Sequence, residues 1–402
     1  MAWQAPTDVE RALYEAKSRG DWSSYLDVLG NTWLYYAVDR YSFDAVGQRR
    51  YDTYWNAQTG SRCRAVFTAG MLPAPVADPV YVRRDLETFA SDWPGETTWL
   101  AVNPGSPCEA YFPGSMAHRT VWRQHGERAW RSQLRRLRTL SVGGPLHGPV
   151  AHGLACGALL CVRNGSLWNA LAWHGRGYDA ERERLKEHWG VTERSKWQEY
   201  QEQLIQGEMS SSGAWEFVLR IRRNLARASE GGAASISRWR EVTARVARQG
   251  GREAGHEEST DTGWDEDPDD DIGFDAEVER LQDLIGRIMR YESRFRADGL
   301  LAEDDVVQSV LAWDYGRASK MARWGLGARF CELWETEQAV VRAGRESQSV
   351  YDSWQGFSAG YILGRCLHFD EEKFGDWYAD MLAAHRILTT DPASPWLNIP
   401  FK

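Results

Sequence analysis

Residues 352–365 read Asp-Ser-Trp-Gln-Gly-Phe-Ser-Ala-Gly-Tyr-Ile-Leu-Gly-Arg, and this stretch does most to decide the fold. It predicts a helix over 354–367 in which the neighbours of Arg365 are buried. Segments on both sides share its density of Trp, Arg and Gly: Ala-Trp-Asp-Tyr-Gly-Arg (312–317), Ala-Arg-Trp-Gly (322–325) and Asp-Pro-Ala-Ser-Pro-Trp (391–396). Further helices are predicted from apolar spacing at 149–162, 180–189, 194–206, 215–228, 237–248, 276–295, 304–323, 330–351 and 371–388. Residues 149–402 are therefore predicted to form a mostly helical domain.

The motifs of this C-terminal region resemble those of an uncharacterised bacterial family, domain of unknown function 1266. The resemblance implies a kind of protein but no established chemistry. Trp324, Trp354 and Trp396 fall on the aromatic positions of that family, and we interpret them as packing residues. The chain holds 21 Trp in all, and side chains of this size mostly fill cores and interfaces.

The N-terminal residues 1–115 are predicted to form a small α/β domain. Helices are expected at 7–19, 22–29 and 82–90, and strands at 32–38, 50–56, 64–68 and 98–102. Ala65-Val66-Phe67-Thr68 and Trp99-Leu100-Ala101-Val102-Asn103-Pro104-Gly105 resemble the SseB-like family of secretion-associated bacterial proteins, over about residues 8–115. With the helical domain, this predicts an α+β fold.

Charge is unevenly distributed along the chain. Residues 253–279 contain 13 Asp or Glu and no Lys or Arg, so this tract carries −13 against a net charge of −9, and the remainder carries +4. We expect the acidic linker 250–274 to be disordered or loosely looped, because it has too few apolar residues to offset the entropy of ordering. The segment 116–148 is an Arg-rich connector, with seven Arg and one Glu between 119 and 138.

Four residues are the candidates for chemistry: Asp314, Arg317, Arg365 and Tyr361. Asp314 and Arg317 are three apart and share a helix face, so they can form an ion pair. Charges within an apolar pattern must be paired or hydrogen-bonded. One interpretation is a structural Asp–Arg network between helices. The other is an anion-binding or catalytic pocket.

Other chemistry has little support in the sequence. His118, His125, His147 and His152 lack the one-turn spacing of zinc proteases, and the six Cys lack zinc spacing, so we expect no metal. Neither a Walker loop nor a dinucleotide-binding glycine motif is present, so we expect no cofactor. Apolar stretches are too short to cross a membrane and no signal peptide is recognisable, which favours a cytoplasmic location, with signal-independent export left open.

These patterns favour a non-enzymatic interaction protein with a protein partner. The resemblances imply an adaptor or immunity-type role associated with secretion, competition or defence systems. The alternative is an enzyme or toxin effector that acts on a phosphate-bearing substrate at the Asp/Arg cluster. Nucleic-acid binding through the Arg-rich helices at 119–138 and 220–248 is a third and weaker hypothesis.

Overall fold

The structure is a computed structural model that describes residues 3–39, 53–72, 79–129, 137–140, 144–171, 178–209, 213–228, 235–258 and 268–402. Strands occur in the N-terminal part, and the remainder of the described chain is mostly helical, which confirms the α+β class. In the N-terminal part the elements follow the order α1 Asp8–Ser18, α2 Trp22–Gly30, β1 Leu34–Asp39, β2 Tyr54–Asn56, β3 Ser61–Val66, β4 Pro79–Arg84, α3 Leu86–Ser91, β5 Trp99–Val102, β6 Ala110–Pro113 and α4 Met116–Ala129.

The strands form a four-stranded sheet and a two-stranded ribbon. The sheet has the order β2-β3-β5-β6, and only its β3–β5 pair is parallel. The ribbon pairs β1 with β4 antiparallel, and a bridge between Tyr35 and Phe67 joins it to the end of β3. Helix α4 packs on α2 and α3. Its Trp122 is buried against Trp93 at a ring-centroid distance of 5.2 Å, so the Arg-rich connector begins as part of the N-terminal core.

The prediction of a helix at 82–90 is wrong for its first residues, which form a strand. Val82 lies in β4 opposite Tyr36, and the helix begins only at Leu86. Asp85 marks the boundary, because its carboxylate accepts a hydrogen bond from Thr88 N at 2.6 Å and caps α3. The strand predicted at 50–56 is confirmed for 54–56, and its first residues lie outside the described part.

The helical part begins with a buried pair of short helices where one was expected. Its elements are α5 Gly148–Cys156, α6 Ala158–Asn164, α7 Tyr178–Trp189, α8 Arg194–Gln206, α9 Gly213–Ala228, α10 Ile236–Glu258, α11 Pro268–Ala297, α12 Ala312–Gly327, α13 Leu333–Val350, α14 Trp354–Phe369, α15 Asp376–Thr390 and α16 Pro395–Asn398. The apolar face predicted for 276–295 is confirmed, since its six residues are all buried: Val278, Leu281, Leu284, Ile285, Ile288 and Tyr291. The turn at Gly157 separates α5 from α6.

Helix α12 begins at Ala312, eight residues later than predicted. The preceding backbone is held by side chains: Val307 N donates to the Glu292 carboxylate at 2.8 Å, and Val310 N donates to Glu216 at 3.2 Å. These amide groups are therefore unavailable for helical hydrogen bonds. Helix α15 likewise begins at Asp376 rather than at 371, after Asp370 has accepted hydrogen bonds from the next loop.

The helices on both sides extend into the segment predicted as an acidic linker. Helix α10 continues to Glu258 and α11 starts at Pro268, so 250–258 and 268–274 are helical and 259–267 lie outside the described residues. A helix satisfies its backbone hydrogen bonds internally, so a polar segment can be helical without an apolar face of its own.

Helix α12 lies at the centre of the helical part. It contacts α5, α8, α13 and α14, and nearly every side chain along it is buried, including Asp314, Lys320 and Arg323. Any charged residue placed on α12 is therefore withdrawn from water. Among the described helices, none is both long enough and apolar enough to cross a bilayer.

A seam joins the N-terminal part to the helices. Asn169 pairs with both backbone groups of Leu140: its Oδ1 accepts from Leu140 N at 2.7 Å and its Nδ2 donates to Leu140 O at 2.9 Å. A cluster of apolar residues buries the same junction: Tyr35, Phe67, Leu72, Tyr81, Leu140, Leu167 and Ala170. The two parts therefore share a packed interface.

Candidate functional site

The four residues predicted to form a site meet where α12 and α14 pack together. Arg317 donates to the Asp314 carboxylate one helical turn away, as their spacing predicts. Tyr361 is fully buried, and its hydroxyl has no hydrogen-bond partner in the described part of the chain. Burial raises the pKa of this hydroxyl, and the positive charges of Arg365 and Arg317 act against that rise. The structure thus brings the predicted residues into one cluster.

The arginines of this cluster are stacked on aromatic rings. The guanidinium of Arg317 lies 4.0 Å from the centroid of Trp313, and that of Arg365 lies 4.7 Å from the centroid of Trp377. These contacts are favourable cation–π pairs that also tie helices together. The geometry is that of a packing network between helices, and the catalytic role of the cluster stays a prediction.

A cleft of about 250 Å³ opens elsewhere, between the ribbon of the N-terminal part and the helices. This volume is far larger than the space that one water molecule needs. The lining residues come from both parts of the chain: Trp33, Arg83, Arg84, Asp85, Thr88, Asn164, Ser166, Glu181, Arg184, Lys320, Arg323 and Trp324. Five of these side chains are basic and two are acidic, so the cleft has an excess of positive charge.

Lys320 lies at the base of this cleft on α12. Its side chain is buried, with a residue exposure of 3 %, and its Nζ donates to Ser166 Oγ at 3.0 Å. Within the described residues no carboxylate lies at ion-pair distance from Nζ. Burial and, after it, the charge of the neighbouring Arg323 lower the pKa of this amine to about 7, against the opposing charges of Cys161 and Glu181. Lys320 is thus a buried amine that is partly neutral at physiological pH.

Arg323 lies one turn further along α12 and is equally buried. Its Nη2 donates to Leu167 O at 2.5 Å and its Nη1 to Cys161 Sγ at 3.1 Å, while its Nε has no partner among the described residues. Burial raises the pKa of the Cys161 thiol, but the charges of Lys320 and Arg323, together with hydrogen bonds to Arg323 and Ser166, outweigh burial, and the net pKa is lowered. Cys161 is therefore the acidic group in direct contact with Arg323, and the buried Glu181, whose charge acts on Lys320, is a further acidic group in the cleft.

The rim of the cleft carries two arginine–tryptophan pairs. On the helical side, Arg184 donates to Glu181 and lies 5.3 Å from the centroid of Trp324. On the opposite side, the guanidinium of Arg83 lies 4.3 Å from the centroid of Trp33 and donates to the backbone of α6. Trp324 was interpreted as a packing residue, and the structure shows that it also lines the cleft.

Sequence reasoning missed the cleft but could have found part of it. Lys320 and Arg323 stand three apart in Ser-Lys-Met-Ala-Arg-Trp-Gly (319–325), which continues the apolar and small-residue pattern of a buried helix. Lys is also rare in the chain, with six copies among 48 basic residues. A lysine in such a pattern indicates a buried amine. The contribution of Arg83 and Arg84 follows only from the tertiary structure.

Fold and cleft together define a two-part α+β protein with a basic cleft at the junction of its parts. The chain belongs to the family described as a protein of unknown function (DUF1266), whose family model matches residues 184–401. Lys320, Arg323 and Arg184 lie within the match, and Arg83 and Trp33 lie outside it. Neither a curated protein nor a solved structure matches this chain. The SseB-like resemblance of residues 8–115 stays a prediction.

Proposed function

We propose that this protein binds a small anion, carrying a phosphate or carboxylate group, in the cleft between its two parts. One observation carries the proposal: Lys320 and Arg323 are both buried at the cleft, and in the described residues neither donates a hydrogen bond to a carboxylate. The charge of Glu181 acts on Lys320, but Glu181 is also the ion-pair partner of Arg184. Burying cations in excess of their counter-charges is unfavourable. An anionic ligand would supply that counter-charge.

The walls of the cleft suit such a ligand. Arginine guanidinium groups bind phosphate and carboxylate oxygens through two parallel hydrogen bonds. Arg184 is one-third exposed and can turn from Glu181 towards a ligand. Trp33 and Trp324 add aromatic surface on opposite sides, which can contact a planar group. The sequence-based alternative placed a phosphate-bearing substrate at the Asp/Arg cluster of α12 and α14. The cleft suits such a ligand better, although it is lined by other residues.

A calorimetric titration with pyrophosphate tests the proposal. We expect saturable binding that weakens as salt is added, because the attraction is between charges. Arg184→Gln removes one charge-assisted hydrogen bond and should weaken binding by about 1.5–3 kcal/mol. Arg342→Gln is the matched control, since Arg342 pairs with Glu202 at 2.7 Å on the surface and does not line the cleft. Binding that is absent from the wild type, or equal in the two variants, would contradict the proposal.

The interaction protein favoured by the sequence remains a second candidate. The observation that supports it is an exposed aromatic pair: Phe369 is 41 % and Trp377 39 % exposed, and their rings stack at 4.9 Å. Exposed aromatics beside arginine are typical of interface hot spots. Association with secretion, competition or defence systems and a cytoplasmic location stay predictions. A tagged pull-down should capture a stoichiometric protein that Trp377→Ala loses, and an equal yield with both chains would count against this surface.

A further inference from the structure

We infer that Lys320 is a nucleophile that forms an imine with the keto group of a small 2-oxo acid bound in the cleft. The inference rests on the proposed anion-binding function and names the class of ligand. It is carried by the placement of a buried amine, which in the described residues donates to Ser166 and to no carboxylate, at the base of a cleft that also holds Arg323 and Arg184.

The spacing of Lys320 and Arg323 selects the class of ligand. Residues three apart on a helix have Cβ atoms about 5–6 Å apart on one face. The Nε of Arg323, which has no partner among the described residues, is thus about one helical turn from the amine and is the donor available to a carboxylate. In a 2-oxo acid the electrophilic carbon is bonded directly to the carboxylate carbon, so anchoring the carboxylate near Arg323 presents the keto carbon to Lys320.

The surroundings of Lys320 favour the reactive form of the amine. Only a neutral amine has the lone pair that attacks a carbonyl, and desolvation beside another cation is how proteins keep a lysine neutral. Burial lowers the pKa of Lys320 to about 7, so about half of the amine is neutral at that pH. The exposed Lys196 and Lys373 behave in the opposite way, because hydrogen bonds to Glu199 and Glu371 raise the pKa of each.

The reaction balances within the cleft. The Lys320 nitrogen lone pair forms a bond to the keto carbon, and the π electrons of the carbonyl move to oxygen. Glu181, a buried cleft residue whose charge acts on Lys320, relays the two N–H protons in turn to that oxygen: the first gives the carbinolamine hydroxyl, and the second lets this hydroxyl leave as water. The products are an imine and one water molecule, and no oxidant or reductant is consumed.

Reductive trapping tests the imine in the wild-type protein. The chain is incubated with pyruvate and cyanoborohydride at neutral pH, and peptide mapping by mass spectrometry follows the six lysines separately: Lys17, Lys186, Lys196, Lys320, Lys373 and Lys402. We expect Lys320 to be modified at least tenfold faster than Lys196 or Lys373, and pyrophosphate to slow the modification of Lys320 alone. Lys320 modified no faster than the exposed lysines would overturn the inference.

Pyrophosphate binding by the wild-type chain separates this inference from the proposed function. Lys320→Arg has no nucleophilic amine, so it should lose the trapped product while Lys196 and Lys373 are modified as in the wild type. Pyrophosphate has no carbonyl group and reports only on anion binding. Wild-type binding of pyrophosphate without trapping of pyruvate would refute the imine and leave the anion site standing. Absence of both would refute both proposals.

Discussion

The titration of one side chain, Lys320, makes the free energy of unfolding depend on pH. Its folded pKa, about 7, lies below the 10.5 of an ordinary lysine. Below pH 7 both folded and unfolded chains hold the proton, and the folded state bears the full unfavourable effect of a buried cation. Between pH 7 and 10.5 the unfolded chain binds more protons than the folded one. The free energy of unfolding therefore rises with pH in this window.

Lys320→Met should remove this rise. Relative to the variant, the wild type should gain about 3 kcal/mol in free energy of unfolding between pH 7 and 9.5, from the two pKa values. Urea denaturation of both chains at the two pH values measures the difference. Lys196→Met is the control: Lys196 is exposed, so its difference from the wild type should stay nearly constant. A Lys320→Met difference as flat as the control would show that the buried amine keeps an ordinary pKa.

Some residues of the site could be predicted from the sequence and others could not. The Asp314–Arg317 pair could be predicted, because the spacing of two residues on one helix is a local property. Lys320 also lies in a helical spacing that the sequence reveals. Its role at the site, however, depends on its facing a cleft, and the spacing of residues on one helix does not show where a cleft lies between elements. The basic residues of β4 join the site through strand pairing with β1, which is a long-range contact.

At the scale of elements, helices with an apolar stripe were predictable and boundaries set by side-chain capping were not. Helix α11 follows from its repeat of buried residues. In contrast, 82–90 combines an extended segment with a short helix, and Asp85 separates them through a capping hydrogen bond. The start of α12 depends on Glu292 and Glu216, which come from distant parts of the chain and hold the preceding loop.

Helices α5 and α13 pack so closely that Gly153 is required at their contact. A Cβ atom at this position would lie 2.1 Å from the carbonyl oxygen of Val340, a backbone atom that cannot turn away. Gly153→Ala should therefore lower the free energy of unfolding by about 1–3 kcal/mol or more. Thermal denaturation measures the loss.

The matched control is Gly286→Ala on α11. Its added Cβ would meet only the ends of two arginine side chains, at 3.2 and 3.6 Å, and these can move. Because alanine favours the helix over glycine by about 1 kcal/mol, this variant should be as stable as the wild type or more so. Equal destabilisation of both variants would show that the loss is not caused by the contact with Val340.

At the scale of the whole molecule, the proposed binding of an anion in the cleft depends on the packing of the N-terminal part against the helices. Its base belongs to α12, whereas Arg83 and Arg84 belong to the N-terminal ribbon, so the complete site exists only when the two parts are docked. Docking depends on the seam where Asn169 satisfies the backbone of Leu140. A family model covering 184–401 includes the base of the cleft and leaves out the opposite wall. The proposed anion site thus needs residues from both parts of the chain.

Asn169→Ala tests this interdependence, because Asn169 is fully buried but does not line the cleft. The change leaves the N–H and C=O of Leu140 without their partner, which should lower the free energy of unfolding by about 2–5 kcal/mol. A loosened seam should also weaken pyrophosphate binding about fivefold or more, measured by calorimetry at a temperature where the variant is folded. Asn398→Ala is the control, since it loses a 2.7 Å hydrogen bond to Pro392 O far along the chain and should leave affinity unchanged. If Asn169→Ala is destabilised yet binds pyrophosphate as tightly as Asn398→Ala, the N-terminal wall makes no contribution to the site, and the helices alone hold the anion.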